Sequence, residues 1–202
     1  MQILTAAVPI LIALTIHEVS HGWVANYFGD DTARRMGRLS LNPIKHLDPM
    51  GTLVFVITRM IGWAKPVPID FRRLRHPKQD MIWVALAGPA SNLVLAAFSA
   101  RLFHLLAGIP GVYAWGALRI MLKMCVLSVQ INIALAIFNL VPILPLDGGR
   151  ILTGLLPREY AVRYAQLERY GMFLILLFVV TDSFQRFLVP VIISLYRIFI
   201  GI

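Results

Sequence analysis

The run ILTAAVPILIALTIHEVSHGWVANYF, residues 3–28, decides the fold class. A bilayer core of about 30 Å takes about 20 helical residues to cross, and this run is long enough. It is apolar except around His17, Glu18 and His21, and Gly29-Asp30-Asp31 ends it. A charge at the centre of a spanning helix costs roughly 2.5–3.5 kcal/mol on insertion scales, so ionisable residues at that depth mark function. Three of them within five positions require one shared reason. The competing explanation is a polar helix face packed against other helices. The run lacks a basic leading region and a small-residue cleavage pattern, so it reads as part of the mature chain and not as a signal peptide.

Composition agrees. The chain has 202 residues, 58% hydrophobic and 14% charged, where soluble domains carry about a quarter charged. Lipid is the expected solvent. The formal charge is +9, but the basic residues gather in a few loops, which fits the positive-inside bias and not a nucleic-acid partner. Cys125 is the single cysteine. It has no intramolecular disulfide partner and reads as a small buried apolar residue. No repeat, linker or composition break divides the chain. The expectation is one membrane-embedded domain over residues 1–202, with a metal-site core over about 1–150 and a C-terminal membrane hairpin over about 170–202.

Residues 81–106 and 113–141 are further spans, and residues 170–180 and 187–200 form the hairpin around 181–186. Residues 51–63 are apolar but short for a crossing, and are expected to re-enter. Residues 36–41 suit a short strand. Residues 64–69 contain Pro66 and Pro68, as edge strands and loops do. The predicted class is an all-α polytopic membrane protein with a small β element, about five transmembrane helices and a re-entrant segment. With re-entry, Arg34, Arg35, Arg38, Lys45, Lys65, Arg72, Arg73, Arg75 and Lys78 share one side with Arg150, Arg158, Arg163 and Arg169, while the opposite turn, residues 108–111, is uncharged. The protein is thus expected in the cell membrane with its basic loops cytoplasmic. His17 lies eleven residues before Phe28, which puts it roughly 15 Å below the cytoplasmic surface at about 1.5 Å per residue.

His17-Glu18-Val19-Ser20-His21 is an H-E-x-x-H motif. Residues four apart share a helix face, so both imidazoles can reach one ion. Glu18 can reach a water on that ion. Zinc suits such ligands and keeps an open position in catalytic sites. A third ligand is needed. His46 and His76 fall in basic loops and are expected to be solvated, and His104 lies near the far end of its span. Asp147 is the better candidate. It follows a long apolar run, after Pro142 and Pro145, which break helices, and before Gly148-Gly149. Irregular backbone at membrane depth is tolerated inside protein or beside a water-filled cavity. On its own, Asp147 would equally suit a turn.

H-E-x-x-H combined with the later Asn139-Leu140-Val141-Pro142-Ile143-Leu144-Pro145-Leu146-Asp147-Gly148 resembles the site-2 protease family of intramembrane zinc metalloproteases. The stretches Gly37-Arg38-Leu39-Ser40-Leu41-Asn42-Pro43 and Ala87-Gly88-Pro89-Ala90-Ser91-Asn92 are similar to its prokaryotic members too. The resemblance implies one zinc per chain on His17, His21 and Asp147, and Glu18 as general base. It also implies that Asn139 helps hold the substrate or its tetrahedral intermediate, and that Asn92 is a further motif asparagine. Helix–helix hydrogen bonding is the alternative for both asparagines. The implied substrates are transmembrane proteins cut within or near the bilayer. Many members carry PDZ or CBS domains, and the loop from Gly29 to Gln79 is too short for a PDZ domain. A metal transporter or sensor, or an inactive helix-binding relative, are the rival functions. The substrate and the oligomeric state are not legible.

Overall fold

The computed structural model describes residues 2–51, 53 and 65–201. These residues are mostly helical. Helix α1 spans Gln2–Tyr27, followed by the short α2, Thr32–Arg35. Helix α3 spans Pro77–Ala107 and α4 spans Gly116–Asn139. Then come α5 (Asp147–Leu155), α6 (Arg158–Ala165), α7 (Glu168–Val180) and α8 (Val189–Ile200). Among the described residues, three helices, α1, α3 and α4, are long and apolar enough to cross a membrane. The sequence places α3 and α4 within a few residues of their observed ends.

The three long helices pack side by side with alternating direction. His21 of α1 meets Val84 of α3, and Ala13 meets Asn92. Ser99 of α3 meets Ser128 of α4, and Asn92 meets Asn132. The end of α1, the start of α3 and the end of α4 therefore share one end of the bundle. Arg75 N–H donating to Phe28 C=O at 3.0 Å closes that end. Small residues allow the approach: Ala96 and Ala100 of α3 pack against Val129 and Ile133 of α4, with Ile200 of α8 against them. Lipid gives apolar helices little reason to associate, so close van der Waals contact over small side chains and polar cross-links does most of the work.

Three expectations change. Residues 36–41 are not a strand, and no strand occurs among the described residues. Gly37, at φ 62°, turns the chain there, and no neighbouring strand among the described residues supplies a ladder. The C-terminal helices do not fold back as a hairpin. Glu168–Val180 and Phe184–Ile200 bend by 73° across a short break, where Asp182 takes a left-handed φ of 56°, a conformation aspartate tolerates better than most residues. His46 is not solvated but 2% exposed, with Nε2 bonded to Ser40 C=O at 2.7 Å. The proposed re-entrant stretch, residues 51–63, lies almost wholly outside the described residues.

Residues 65–70 form an irregular strap along the same end of the bundle. Polar groups pin it at each step. Lys65 N–H donates to His46 C=O at 2.8 Å, and the Arg38 guanidinium donates to the carbonyls of Lys45, Lys65 and Pro66. Val67 N–H donates to Glu18, and Asp70 N–H donates to Asp30 at 2.7 Å. Asp30 is fully buried and also accepts from the backbone and hydroxyl of Thr32. Removing such an acceptor leaves several buried donors without partners. Asp30→Ala should lower unfolding stability in detergent by about 2–4 kcal/mol, read as a drop in thermal midpoint, whereas substitution of exposed Glu159 should leave it nearly unchanged.

Candidate metal centre

Three side chains from two distant parts of the chain converge. His17 and His21 project from one face of α1, and their Nε2 atoms lie 3.1 Å apart. Asp147, the first residue of α5, sends Oδ2 to 3.2 Å from His17 Nε2 and 3.3 Å from His21 Nε2. All three residues are buried, with 6%, 7% and 8% of their surfaces exposed.

Hydrogen bonding fixes what these atoms offer. His21 Nδ1 lies 2.7 Å from Val84 C=O, which can only accept, so this nitrogen carries the proton. His17 Nδ1 lies 2.6 Å from Asn92 Oδ1 and carries its proton for the same reason. With neutral rings, both Nε2 atoms then present lone pairs towards the Asp147 carboxylate. Asp147 Oδ2 is buried and has no hydrogen-bond donor. Three acceptors facing one another require a shared cation. The fit to zinc is close: ligand bonds of about 2.0–2.2 Å in a tetrahedron separate ligands by roughly 3.3–3.5 Å, and the observed separations are 3.1, 3.2 and 3.3 Å. Among the described residues this is the one group of three or more such side chains able to hold a metal.

The backbone is shaped for this meeting. Gly88 of α3 lies against both imidazoles, and a Cβ there would fall 2.6 Å from His17 Cε1 and closer still to His21 Nε2. Pro89 has no N–H for the Ala85 carbonyl, so α3 is one hydrogen bond short at the turn carrying Val84 and Gly88. On the other side, the chain after α4 turns sharply through residues 140–146, with Ile143 N–H bonded to Val141 C=O and Leu146 N–H to Ile143 C=O. Gly149 packs on that turn, and a Cβ on it would meet Leu144 N at 2.5 Å. Tyr164 of α6 braces the turn by donating to Pro142 C=O at 2.8 Å. The result aims the first carboxylate of α5 back at α1.

A cleft of about 160 Å³ opens over the cluster, lined by His17, His21, Asp147, Glu18, Asn139 and Arg150 and walled by the strap at Pro66, Val67 and Ile69. It is large enough for water. Glu18 is half-buried, and its Oε2 accepts from Val67 N–H at 2.8 Å. Asn139 lines the cleft, with Nδ2 donating to Leu135 C=O at 3.0 Å in its own helix. Arg150 stacks over Phe71, 5.3 Å from its ring centroid. Asn92 is fully buried behind His17 and does not line the cleft. His104 stays at the far end, next to Phe199, and His76 is exposed. Sequence reasoning missed Val84, Gly88 as a contact residue, and Asn132. A backbone carbonyl such as that of Val84 leaves no trace in side-chain chemistry. Asn132 does leave one, as an amide in mid-span, where each unpaired polar group is costly.

The peptidase family M50 model matches residues 106–180, which include Asn139 and Asp147. A Bacillus subtilis (strain 168) protein named "Putative zinc metalloprotease YwhC" is 39% identical over 175 residues, covering 86% of this chain and 79% of that protein. The similarly named Rip2 of Mycolicibacterium smegmatis (strain ATCC 700084 / mc(2)155) is 28% identical over 180 residues, 87% of this chain and 66% of that one. Rip3 of Mycobacterium tuberculosis is 30% identical over 154 residues but only 31% of its length is covered. No solved structure matches significantly. The chain belongs to peptidase family M50, the site-2 protease family its motifs resemble.

Two substitutions probe the centre from opposite sides. Asp147→Ala removes one of the three candidate ligands, and Gly88→Ala drives a methyl group into the imidazoles. Each should reduce bound zinc in purified protein from about one per chain to a small fraction of that, by elemental analysis, because losing one of three protein ligands or displacing two removes most of the chelation.

Proposed function

We propose that this protein is an intramembrane zinc metalloprotease that hydrolyses peptide bonds within or beside transmembrane segments of other membrane proteins. The observation that carries this is the convergence of His17 Nε2, His21 Nε2 and Asp147 Oδ2 beside a carboxylate, Glu18, in one cleft. Family membership supports it.

His17, His21 and Asp147 would hold the ion. Zinc bound there would polarise a peptide carbonyl and lower the pKa of water towards about 7. Glu18 takes the proton from water in the cleft and passes it to the leaving amine. Its bond to Val67 N–H holds the carboxylate at the cleft. Asn139, on the cleft wall, supplies an amide beside the carbonyl oxygen as charge develops on it. A helical substrate hides its peptide bonds within its own hydrogen bonds, so it must unwind before it lies along the strap.

The topology supports cytoplasmic placement of this end of the bundle. The loop from α1 to α3 begins and ends there, the region after α4 begins there, and both carry clusters of arginine and lysine. On this reading the metal lies roughly 15 Å below the cytoplasmic surface. The bent pair α7–α8 is a broken span or re-entrant element that brings the membrane-embedded helices to about five, within one domain over residues 1–202.

A metal carrier would need ligands at successive depths. Among the described residues there is one cluster and no second station, so the carrier reading lacks support. Glu18→Gln distinguishes the two: zinc content should remain near one per chain while cleavage of a reconstituted transmembrane substrate falls by roughly 100-fold or more. Undiminished cleavage would remove Glu18 from the chemistry, and zinc flux without cleavage would restore the carrier.

A further inference from the structure

We infer that Asn132 is a positioning residue for the metal centre, acting through Asn92 to set which nitrogen of His17 carries its proton. This rests on His17 as a metal ligand. The two asparagines are fully buried, and neither faces the cleft. They form a directed chain. Asn132 Nδ2 donates to Ser128 C=O at 2.8 Å and also lies 3.2 Å from Ser128 Oγ. Asn132 Oδ1 accepts from Asn92 Nδ2 at 2.7 Å. Asn92 Oδ1 in turn accepts from His17 Nδ1 at 2.6 Å.

The direction of this chain is not free. The carbonyl of Ser128 has only lone pairs to offer. It forces the amide of Asn132 to put nitrogen towards Ser128 and oxygen towards Asn92. That oxygen forces the Asn92 nitrogen to face α4 and its oxygen to face α1. The oxygen of Asn92 then demands a proton on His17 Nδ1, which leaves Nε2 bare where it meets His21 and Asp147. A main-chain carbonyl on α4 thus dictates the tautomer of a side chain on α1, two helices away.

Without Asn132 the constraint ends at Asn92. Its remaining second contact, Nδ2 to Ala13 C=O, is long at 3.3 Å. The Asn92 amide could then turn over and present its nitrogen to His17 Nδ1. The imidazole would answer with its proton on Nε2, the atom that must bind the ion. His21 has no such weakness, because its Nδ1 bonds directly to the Val84 carbonyl. The two histidines therefore differ: one tautomer is fixed by backbone, the other by a relay of side chains.

Asn132→Leu keeps the branched shape of the side chain and removes the relay. Partners behind metal-bound histidines are worth 10–100-fold in metal affinity. The zinc dissociation constant of the folded variant, measured by chelator competition, should rise by about that factor, and the visible spectrum of the cobalt-substituted protein should shift as His17 turns. Ser99→Ala, which deletes the hydroxyl pair to Ser128 at the same α3–α4 contact, should leave both unchanged. If Asn132→Leu does not fold, Asn132→Thr takes its place: its hydroxyl reaches its own helix but is too short for Asn92. Unchanged affinity and an unchanged cobalt spectrum in either folded variant would overturn the relay. Equal losses in Ser99→Ala would reduce it to helix packing. Wild-type protein unable to hold zinc would defeat the metal site itself, a different failure from an Asn132 variant that binds as the wild type does.

Discussion

Everything at the functional end of this molecule depends on holding three electron-rich atoms about 3 Å apart with no proton among them. The two Nε2 atoms and Asp147 Oδ2 repel one another when the rings are neutral. In a low-dielectric interior that repulsion is stronger than in water. The helices must therefore be pressed together by other contacts. Helix α3 is the common partner: it touches α1 through Val84, Gly88 and Asn92, and α4 through the alanines of the central core. A cation in the middle would convert the repulsion into attraction, which is why binding and folding are coupled at such sites.

Several buried polar groups in the spans are paired with one another. Buried amides, hydroxyls and imidazoles cost free energy unless paired, and here Ser99, Ser128, Asn132, Asn92 and His17 pair in sequence. The same bonds that offset the cost of burying them also tie the three long helices in register. Structural support and chemical preparation are consequently hard to separate at this site: a bond that holds α3 to α4 also selects a tautomer on α1.

The strap over residues 65–70 gives the cleft its wall, and its hold is polar. Glu18 and Asp30 each accept from one of its backbone N–H groups, and Arg38 donates to two of its carbonyls. Two prolines, Pro66 and Pro68, have no N–H to satisfy, so Val67 N–H stands alone between them and goes to Glu18. The proposed base and the wall of the cleft are thus one hydrogen-bonded unit, and displacing the strap would also free the carboxylate.

Spacing along the chain carried much of this. H-E-x-x-H sets two imidazoles on one face because a helix repeats every 3.6 residues, and the apolar lengths marked α1, α3 and α4 because lipid thickness is fixed. Asp147 was legible as a candidate because two prolines and two glycines mark an abrupt turn after a span. Long-range facts were not legible. The burial of His46, the bend at Asp182, the loss of a strand at residues 36–41 and the Ser128–Asn132–Asn92 relay all depend on which surface another segment presents. Local periodicity reports a residue's own helix face, but a hydrogen bond between residues 40 or 75 positions apart exists only once packing has brought their helices together. The sequence alone therefore determined the ligand types and the membrane setting, and the tertiary structure decided their distances, their protons and the cleft, because those follow from helix contact and not from helix repeat.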